Sequence, residues 1–341
     1  MYRRCVSVKE AHGDAIWAVT WGPGEDIVSG AVDGTCKRWA HEGEAGAGGG
    51  GGGGAEEKSE GGGSDAGGKK TDGAAPDSIP GEASTESVRQ SGVFEGHQLG
   101  VISAVLHPSG NMVATTCVDC RIRIYDMQEE ALTHEIDAGS IEAWTASFSG
   151  LKPHLATGSQ RGAVNIWSHE TGKKVGSMET GGGFVMSCQY SPDGAHIGAG
   201  CNGGMVSVFD VESGKQKMKH TTSHTMPVRS VGFSQDGKLL VSASDDKHVN
   251  VYDPRYGQVV ASLAGHSSWV LSVSMSPDGK RFATGSADNK VKIWDLAMRR
   301  CVHTFDDHVD QVWAVSYNKT GTRLASGGDD GMLNVFQLEL S

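Results

Sequence analysis

A histidine, a hydroxyl residue and an aspartate recur together at fixed spacing along this chain. In the clearest copy, His266 is followed by Thr284 and then by Asp288. A hydroxyl that is activated by an imidazole, which a carboxylate orients in turn, is the arrangement of a nucleophilic catalyst. The set occurs five times, as His12/Ser29/Asp33, His97/Thr115/Asp119, His224/Ser242/Asp246, His266/Thr284/Asp288 and His308/Ser326/Asp330.

The repetition of this set argues against catalysis, because one active site needs one triad. Two further copies of the same frame have Gly139 and Gly181 in place of the histidine, and Arg161 and Gly203 in place of the aspartate. A buried polar group without its partner costs about 1–3 kcal/mol, so a structural pair is expected to disappear as a pair. The sequence therefore predicts that the five His–Asp sets hold the fold together. It predicts no catalytic residue, no enzymatic activity and no cofactor.

These sets belong to a longer repeat, whose units from Tyr125 onwards are 42 or 43 residues long. Most units open on a Gly-His or similar pair, and each closes on an aromatic residue that an acid usually follows. The closing residues are Trp39, Tyr125, Trp167, Phe209, Tyr252, Trp294 and Phe336. Units of roughly 40–45 residues with these two signals are typical of WD-repeat β-propeller blades. The predicted fold class is all-β, a seven-bladed WD-repeat β-propeller that forms a single closed domain.

Within each unit, small or apolar residues four and seven positions after the histidine position are predicted to lie on an inner strand and to face the neighbouring blades. These pairs are Ile16/Val19, Val101/Ala104, Ala143/Ala146, Val185/Cys188, Val228/Val231, Val270/Val273 and Val312/Val315.

Residues 41–92 interrupt the repeat. They hold 17 of the 50 glycines and carry a net charge of −6. Such a segment has too little apolar surface to offset the entropy of ordering it. A disordered Gly-rich and acidic insertion in blade 1 is therefore predicted over 41–87, on the face opposite the Gly-His loops. It separates residues 1–40, which hold a strand closing blade 7 and most of blade 1, from residues 88–341, the remainder of the propeller.

Closure of the ring is predicted from the two ends of the sequence. The last repeat ends with its third strand near Leu333–Gln337, so it lacks an outer strand. Tyr2–Val8 is a β-prone segment at the other end, and pairing between the two would cover an open sheet edge.

Composition narrows the possible partners. The net charge of −11 disfavours direct binding of nucleic acid, and the apolar runs are too short to span a membrane. Seven scattered cysteines, an odd number, favour a reducing intracellular compartment. Cys117 and Cys120 form a CxxC, but no second pair supplies the other ligands of a zinc site, so no metal is predicted.

A partner surface is predicted from a column of large residues five positions after each histidine position. The column reads Trp17, Ile102, Trp144, Met186, Arg229, Leu271 and Trp313. These positions flank the entrance of the central channel on the Gly-His face, and exposed Trp and Arg are enriched at binding hot spots. Phe184 and Trp269 stand two positions earlier in their repeats. Asp14, Glu142 and Asp310 are expected to form an acidic rim that receives Arg or Lys from a peptide.

Several stretches outside the repeat signature resemble one family, the WD-repeat subunits shared by the superkiller (SKI) RNA-decay complex and the polymerase-associated factor complex. They are EAHGDAIWAVTWG (10–22), EGHQLGV (95–101), IDAGSIEAWTASFS (136–149), MPVRSVGFS (226–234), AGHSSWVLSV (264–273) and CVHTFDDHVDQVWAV (301–315). The similarity covers all seven blades, and only the long insertion departs from it.

The resemblance implies a non-catalytic scaffold in the nucleus and the cytoplasm. In a SKI-like complex, linked to the exosome and 3′–5′ mRNA decay, its partners would be a TPR-repeat subunit and an RNA helicase. In the polymerase-associated factor complex it would act in transcription elongation and histone modification. Contact with nucleic acid or membrane is not expected, and no homo-oligomer is required.

An alternative interpretation is a substrate receptor of a cullin–RING ubiquitin ligase. Such receptors resemble WD propellers whose closing motif reads aromatic-Asp-x-Arg. This chain has one copy, Tyr252-Asp253-Pro254-Arg255. One copy among seven repeats arises readily by chance.

Overall fold

The computed structural model of the chain describes residues 2–42, 87–220 and 223–338. These residues form 28 β-strands in seven sheets of four antiparallel strands. The seven-bladed β-propeller predicted from the repeat is therefore confirmed. Within the described ranges there is no helix long and apolar enough to span a bilayer.

In blades 1 to 6 the four strands run from the inner to the outer edge of the sheet in chain order, and in blade 7 only the first three do. Blade 1 comprises β2 (Ile16–Trp21), β3 (Asp26–Ala31), β4 (Cys36–Glu42) and β5 (Ser87–Phe94). Blade 2 comprises β6 (Val101–Leu106), β7 (Met112–Cys117), β8 (Arg121–Asp126) and β9 (Leu132–Asp137). Blade 3 comprises β10 (Ala146–Phe148), β11 (His154–Gly158), β12 (Ala163–Ser168) and β13 (Lys174–Glu179). Blade 4 comprises β14 (Val185–Tyr190), β15 (His196–Cys201), β16 (Val206–Asp210) and β17 (Gln216–His220).

The remaining blades repeat this plan. Blade 5 comprises β18 (Val228–Phe233), β19 (Leu240–Ser244), β20 (His248–Asp253) and β21 (Gln258–Ala264). Blade 6 comprises β22 (Val270–Met275), β23 (Arg281–Ser286), β24 (Val291–Asp295) and β25 (Arg300–Phe305). Blade 7 comprises β26 (Val312–Tyr317), β27 (Arg323–Gly328) and β28 (Leu333–Leu338), and its outer strand is β1 (Tyr2–Val8).

The core of the molecule lies between neighbouring blades. Inner strands contact each other all the way round, and the contact between β26 and β2 closes the ring. All fourteen inner-strand positions predicted from the sequence are buried. In blade 3, however, Ala143 precedes the inner strand, which has only three residues. The cause is a departure in the preceding loop, described below with Glu142.

Close approach at the blade 7–blade 1 junction depends on a glycine. A Cβ atom on Gly327 in β27 would lie 2.5 Å from Cγ2 of Ile16 in β2. Atoms cannot come so close, so a larger residue would push the two blades apart. The ring is thus packed as tightly at its closing junction as a protein interior requires.

The two ends of the sequence share blade 7, as the sequence predicts. β1 pairs antiparallel with β28, from Tyr2 opposite Leu338 to Val8 opposite Leu333, with an irregularity between Arg4 and Val6. Val6 and Val8 pack on a cluster of buried residues that spans blades 7 and 1. The N-terminal strand therefore covers an edge that β28 would otherwise leave open.

The boundaries predicted for the insertion in blade 1 need correction. His41 and Glu42 continue β4, and Ser87 begins β5, because His41 pairs with Val88 and Glu42 pairs with Ser87. The antiparallel ladder thus extends beyond Trp39 into the segment predicted as disordered. The rest of that prediction, residues 43–86, lies outside the described residues.

Candidate functional site

The histidine sets of blades 5, 6 and 7 form continuous hydrogen-bonded chains. In blade 6, Nδ1 of His266 lies 2.9 Å from Oδ2 of Asp288, and Nε2 lies 2.7 Å from Oγ1 of Thr284. The indole Nε1 of Trp294 donates to the same Thr284 oxygen at 2.8 Å. Blade 5 repeats the chain with His224, Asp246 and Ser242, and blade 7 with His308, Asp330 and Ser326.

These chains cannot supply a nucleophile. The hydroxyl of Thr284 belongs to a fully buried residue, and its oxygen is already engaged with His266 and Trp294. No substrate atom could reach it without unfolding the blade. The geometry is that of a structural fastening between the loop before the inner strand and the turn that carries the aspartate.

Two of the five predicted His–Asp contacts are wrong in detail. In blade 1, Nδ1 of His12 lies 2.7 Å from Oγ1 of Thr35 and 3.5 Å from Asp33. The hydroxyl of Thr35 donates to Asp33, so it stands between the two predicted partners. Burial lowers the pKa of His12 to about 4.

In blade 2, Asp119 pairs with an arginine and not with His97. Nη2 of Arg123 lies 2.8 Å from Oδ2 of Asp119, and Nε of Arg123 lies 3.0 Å from Glu135. His97 keeps its contact to the Thr115 hydroxyl at 2.8 Å. Burial first, and then the charge of Arg123, lower the pKa of His97 to about 4. The strong Arg–carboxylate pair outcompetes a neutral imidazole for the aspartate.

Blade 3 replaces the missing histidine with Glu142. Its Oε2 accepts hydrogen bonds from Oγ of Ser159 at 2.9 Å and from Nδ2 of Asn165 at 2.8 Å. Its backbone carbonyl accepts from the Thr157 hydroxyl, to which Trp167 Nε1 also donates. Glu142 therefore fastens the loop of blade 3 through Oε2, and it lines a pocket within that blade and not the channel itself. In blade 4, where Gly181 and Gly203 stand at the two positions, Thr180 Oγ1 donates to the carbonyl of Gly162.

The hydrogen bonds to the aspartates of the histidine sets predict that the protein loses stability in acid. Burial alone would raise the pKa of Asp288, but hydrogen bonds from His266 and from the Ser267 backbone lower it to about 2. The pKa of Asp246 is likewise about 2. A folded-state pKa below the ordinary 3.8 means that this stabilisation is complete above pH 4. It is lost as the pH falls from about 4 towards 2.

Urea unfolding at pH 7, 4 and 3 tests this. Asp288→Asn should be less stable than the native chain at pH 7, and the difference should narrow at pH 3. Asp137→Asn, a change at an exposed aspartate at the end of β9, is the control and should follow the native pH profile. An Asp288→Asn protein with the native pH profile would contradict the assignment.

The centre of the ring is a channel with a volume of about 920 Å³. All seven residues of the predicted column line it, and the lining continues down each inner strand, as from Trp17 to Pro23 in blade 1. Six column residues are half-buried, but Leu271 is only 4% exposed and packs inward. The seven residues therefore lie around the channel, Leu271 among them packs inward, and their role in binding a partner stays a prediction.

Two tryptophans and an acidic cluster occupy the blade 7–blade 1 side of the entrance. The rings of Trp17 and Trp313 lie with centroids 6.1 Å apart. Nε1 of Trp313 donates to Oδ1 of Asp329 at 2.6 Å. Burial raises the pKa of Asp329; the Trp313 hydrogen bond opposes this rise, whereas the charges of Asp310, Asp14 and Asp330 add to it. Asp14 and Asp310 are exposed, so negative charge is concentrated beside two half-buried indole rings.

A paired cation lies at the entrance on the side of blades 5 and 6. Arg229 makes a bidentate contact to the buried carboxylate of Asp245, with Nε and Nη2 at 2.8–3.1 Å from its oxygens. The guanidinium lies 5.9 Å from the ring centroid of Trp269, which is 43% exposed. Between these groups, Trp144 and Phe184 pack edge to face at 5.2 Å. Arg229 is therefore held in place by Asp245, and its role in binding a partner stays a prediction.

Sequence reasoning missed Asp245 and Asp329. Each directly precedes an aspartate of a histidine set, in the doublets Asp245-Asp246 and Asp329-Asp330. The Asp-Asp doublet could have revealed these residues. When the second aspartate of a turn binds the histidine, the first aspartate of the same turn can point towards the channel.

The other candidates carry no site. Among residues 2–42, 87–220 and 223–338, no group of three or more His, Cys, Asp or Glu side chains could hold a metal ion. Cys117 is buried, and burial raises the pKa of its thiol. Arg255, in the single aromatic-Asp-x-Arg motif, is bound by the carboxylate of Asp253 at 2.6 and 3.0 Å.

Comparison with known proteins agrees with the repeat. The family model for the WD domain, G-beta repeat, matches residues 3–40, 88–126, 172–210, 215–253, 257–295 and 299–337. The segment between the second and third matches contains most of blade 3, where Glu142 replaces the usual histidine.

Two of three relatives that are similar in sequence cover more than two thirds of this chain. WD repeat-containing protein SL1-17 of Schistosoma mansoni is 34% identical over 75% of this chain and 72% of its own length. WD repeat-containing protein VIP3 of Arabidopsis thaliana is 31% identical over 69% of this chain and 66% of its own length. Meiotic recombination protein rec14 of Schizosaccharomyces pombe is 33% identical over 35% of this chain and 39% of its own length.

Proposed function

The chain belongs to the WD-repeat family, and we propose that it is a scaffold subunit that binds a protein partner at the channel entrance on its Gly-His face. WD-repeat propellers are generally non-catalytic and mediate protein–protein interactions, and the repeat family matches six segments of this chain. The buried hydroxyls of the His–Asp sets agree with a role without chemistry.

The observation that carries the proposal is the Trp17–Trp313 pair beside Asp14, Asp310 and Asp329. Two large half-buried rings next to exposed carboxylates offer an apolar contact and a cation site within one patch. Tryptophan is enriched at binding hot spots, where rings are only partly covered before the partner arrives. The partner expected here is a peptide segment with an Arg or Lys close to an apolar side chain. The net charge of −11 favours such a protein segment over nucleic acid.

For the partners themselves, we propose a SKI-like complex and the polymerase-associated factor complex. The support is the set of stretches quoted in the sequence analysis, which include Trp17, Trp144, Arg229, Trp269 and Trp313 and so coincide with the channel entrance. A TPR-repeat subunit and an RNA helicase are the partners proposed in the first complex. Presence in both nucleus and cytoplasm is part of the same proposal.

The ubiquitin-ligase alternative receives no comparable support. Arg255 lies in the loop between β20 and β21, on the face opposite the channel entrance, and Asp253 already occupies its guanidinium. The entrance on the Gly-His face remains the stronger candidate.

Affinity purification with the Trp17→Ala/Trp313→Ala double variant tests the proposal. Truncating a hot-spot tryptophan costs about 2 kcal/mol or more, so partner affinity should fall by about 30-fold or more. Tyr256→Ala, which removes a 72%-exposed ring on the opposite face, is the matched control and should retain native binding.

Two results would count against the proposal in different ways. If the double variant still recovers SKI and elongation-complex subunits at native levels, the entrance is not the binding surface. If the native chain recovers neither complex, the proposed partners are wrong. Thermal unfolding of each variant separates lost binding from lost folding.

A further inference from the structure

Blade 3 contains a cavity of about 390 Å³ that is separate from the central channel. Its lining includes Gly139, Ser140, Glu142, Arg161, Asn165 and Ser177. Gly139 stands where five other blades carry the histidine. The cavity thus opens where blade 3 lacks an imidazole ring.

Asn165 shows how the missing ring is replaced. Its equivalents in blades 5 and 7 contact the histidine of their own blade: Nδ2 of Asn334 lies 3.1 Å from His308, and Nδ2 of Asn250 lies 3.5 Å from His224. In blade 3 the same amide donates instead to Glu142 Oε2. A carboxylate has therefore taken over the polar contacts of an imidazole, without filling the space.

The second carboxylate oxygen of Glu142 is left poorly satisfied. Oε1 is buried and accepts no hydrogen bond among the residues that the structure describes, although Nε of Arg161 lies 3.0 Å away. The side chain of Arg161 is 82% exposed, whereas that of Glu142 is only 14% exposed. An ion pair with so exposed a partner contributes little and is easily opened. A cation held inside the cavity would be less screened by solvent than Arg161 is, provided that the lining hydrogen-bonds its remaining N–H groups.

The backbone next to the Glu142 carboxylate is strained. Ile141, the residue before Glu142, has φ of 51°, a left-handed conformation that is unusual for a β-branched residue. The strain is held by the surrounding bonds, including the one from the Gln160 backbone N–H to the Ile141 carbonyl at 2.9 Å. Residues in such conformations are often found where a loop presents a group to a ligand.

We propose that the blade 3 cavity binds the guanidinium group of an arginine from a protein partner, which displaces Arg161 from Glu142. A guanidinium matches the planar geometry of a carboxylate, and it has further N–H donors. Ser140, Ser177 and Glu179 in the lining offer acceptors for them. The volume accommodates the group together with its alkyl stem. This site is distinct from the channel entrance, so it stands whether or not the proposed function does.

Calorimetric titration with N-acetyl-L-arginine methylamide tests the site. The native chain should bind this probe with a dissociation constant of roughly millimolar order, and N-acetyl-L-citrulline methylamide, its uncharged analogue, should not bind. Arg161→Ala removes the internal competitor and should strengthen binding by about two- to fivefold. Lys174→Ala removes another positive charge from the same lining and should change affinity less than Arg161→Ala does.

Glu142→Gln, tested in the Arg161→Ala background, should abolish binding of the arginine probe. The glutamine oxygen can still accept from Ser159 and Asn165, so the loop should keep its fold, which thermal unfolding checks. Equal binding of the citrulline compound, or identical affinities for the native chain and Arg161→Ala, would overturn the proposal. All titrations are run in the Trp17→Ala/Trp313→Ala background, because the acidic cluster at the channel entrance is itself expected to receive a cation. Probe binding that persists in this background and disappears with Glu142→Gln belongs to the blade 3 cavity.

Discussion

Deletion of residues 1–8 should lower the free energy of unfolding by at least about 3 kcal/mol and expose an aggregation-prone sheet edge. β1 contributes the whole outer strand of blade 7. Without it, Leu333 and Val335 lose the cover of Val6 and Val8. A loss of this size is a large fraction of the 5–15 kcal/mol that stabilises a typical protein. Thermal unfolding followed by circular dichroism, with size-exclusion chromatography for aggregation, measures both effects.

The deletion also removes contacts between blade 7 and blade 6. The ring of Tyr2 stacks on His303 at 4.7 Å and meets Phe305 edge to face at 6.4 Å. Nη1 of Arg4 lies 2.9 Å from Asp307. β1 therefore fastens two blades as well as pairing within one, and its loss should propagate around a ring whose blades depend on their neighbours.

Arg3→Ala is the matched control within the same strand. Arg3 is exposed and donates from Nε to Gln337 at 2.8 Å, so its truncation should change stability by no more than about 0.5 kcal/mol. If the deletion protein unfolds at the temperature of the native chain and stays monomeric, the closing role of β1 is wrong.

The overall fold was predictable because a propeller repeats one solution seven times. The period located every blade, and the positions of Val270 and Val273 predicted buried inner-strand residues in all seven. Each repeat supplies the same apolar pattern, so an error in one blade is corrected by comparison with the others. The misplaced elements are the strand ends beside the insertion and the inner strand of blade 3, which begins at Ala146 and leaves Ala143 in the preceding loop.

The polar partners were less predictable for a physical reason. Repeat spacing gives the position of a side chain, but it does not decide which of several nearby polar groups will pair. Asp119 lies within reach of both His97 and Arg123, and the charged partner is the stronger one. Thr35 likewise comes between His12 and Asp33. Such competition depends on a few ångströms of loop geometry that the repeat does not encode.

The repeat spacing also could not predict how exposed each side chain at the channel entrance is. Trp269 is 43% exposed and Leu271, two residues later, is buried. Trp269 directly precedes β22 and Leu271 lies within it, and the guanidinium of Arg229 from the adjacent blade lies 5.9 Å from the indole ring. The sequence identified the column, and contacts between blades decide which of its members a partner can touch.

His266→Ala should destabilise the protein by about 3–5 kcal/mol, because the mostly buried carboxylate of Asp288 loses its imidazole partner and keeps only its local donors, such as the Ser267 backbone N–H. Asp288 loses the contact at 2.9 Å, and Thr284 loses the one at 2.7 Å. Urea unfolding at pH 7 measures the loss. If His266 were instead a catalytic base, its removal would leave stability almost unchanged.

His97→Ala is the matched control for His266→Ala. It removes the same side chain at the equivalent position, but Asp119 keeps its 2.8 Å pair with Arg123. The contact to Thr115 and the weaker one to the Tyr125 hydroxyl are lost, so the expected cost is about 1–2 kcal/mol. The gap between the two variants isolates the His–Asp contact from the loss of imidazole volume. Equal destabilisation by both changes would mean that packing, and not the buried carboxylate, accounts for the effect in blade 6.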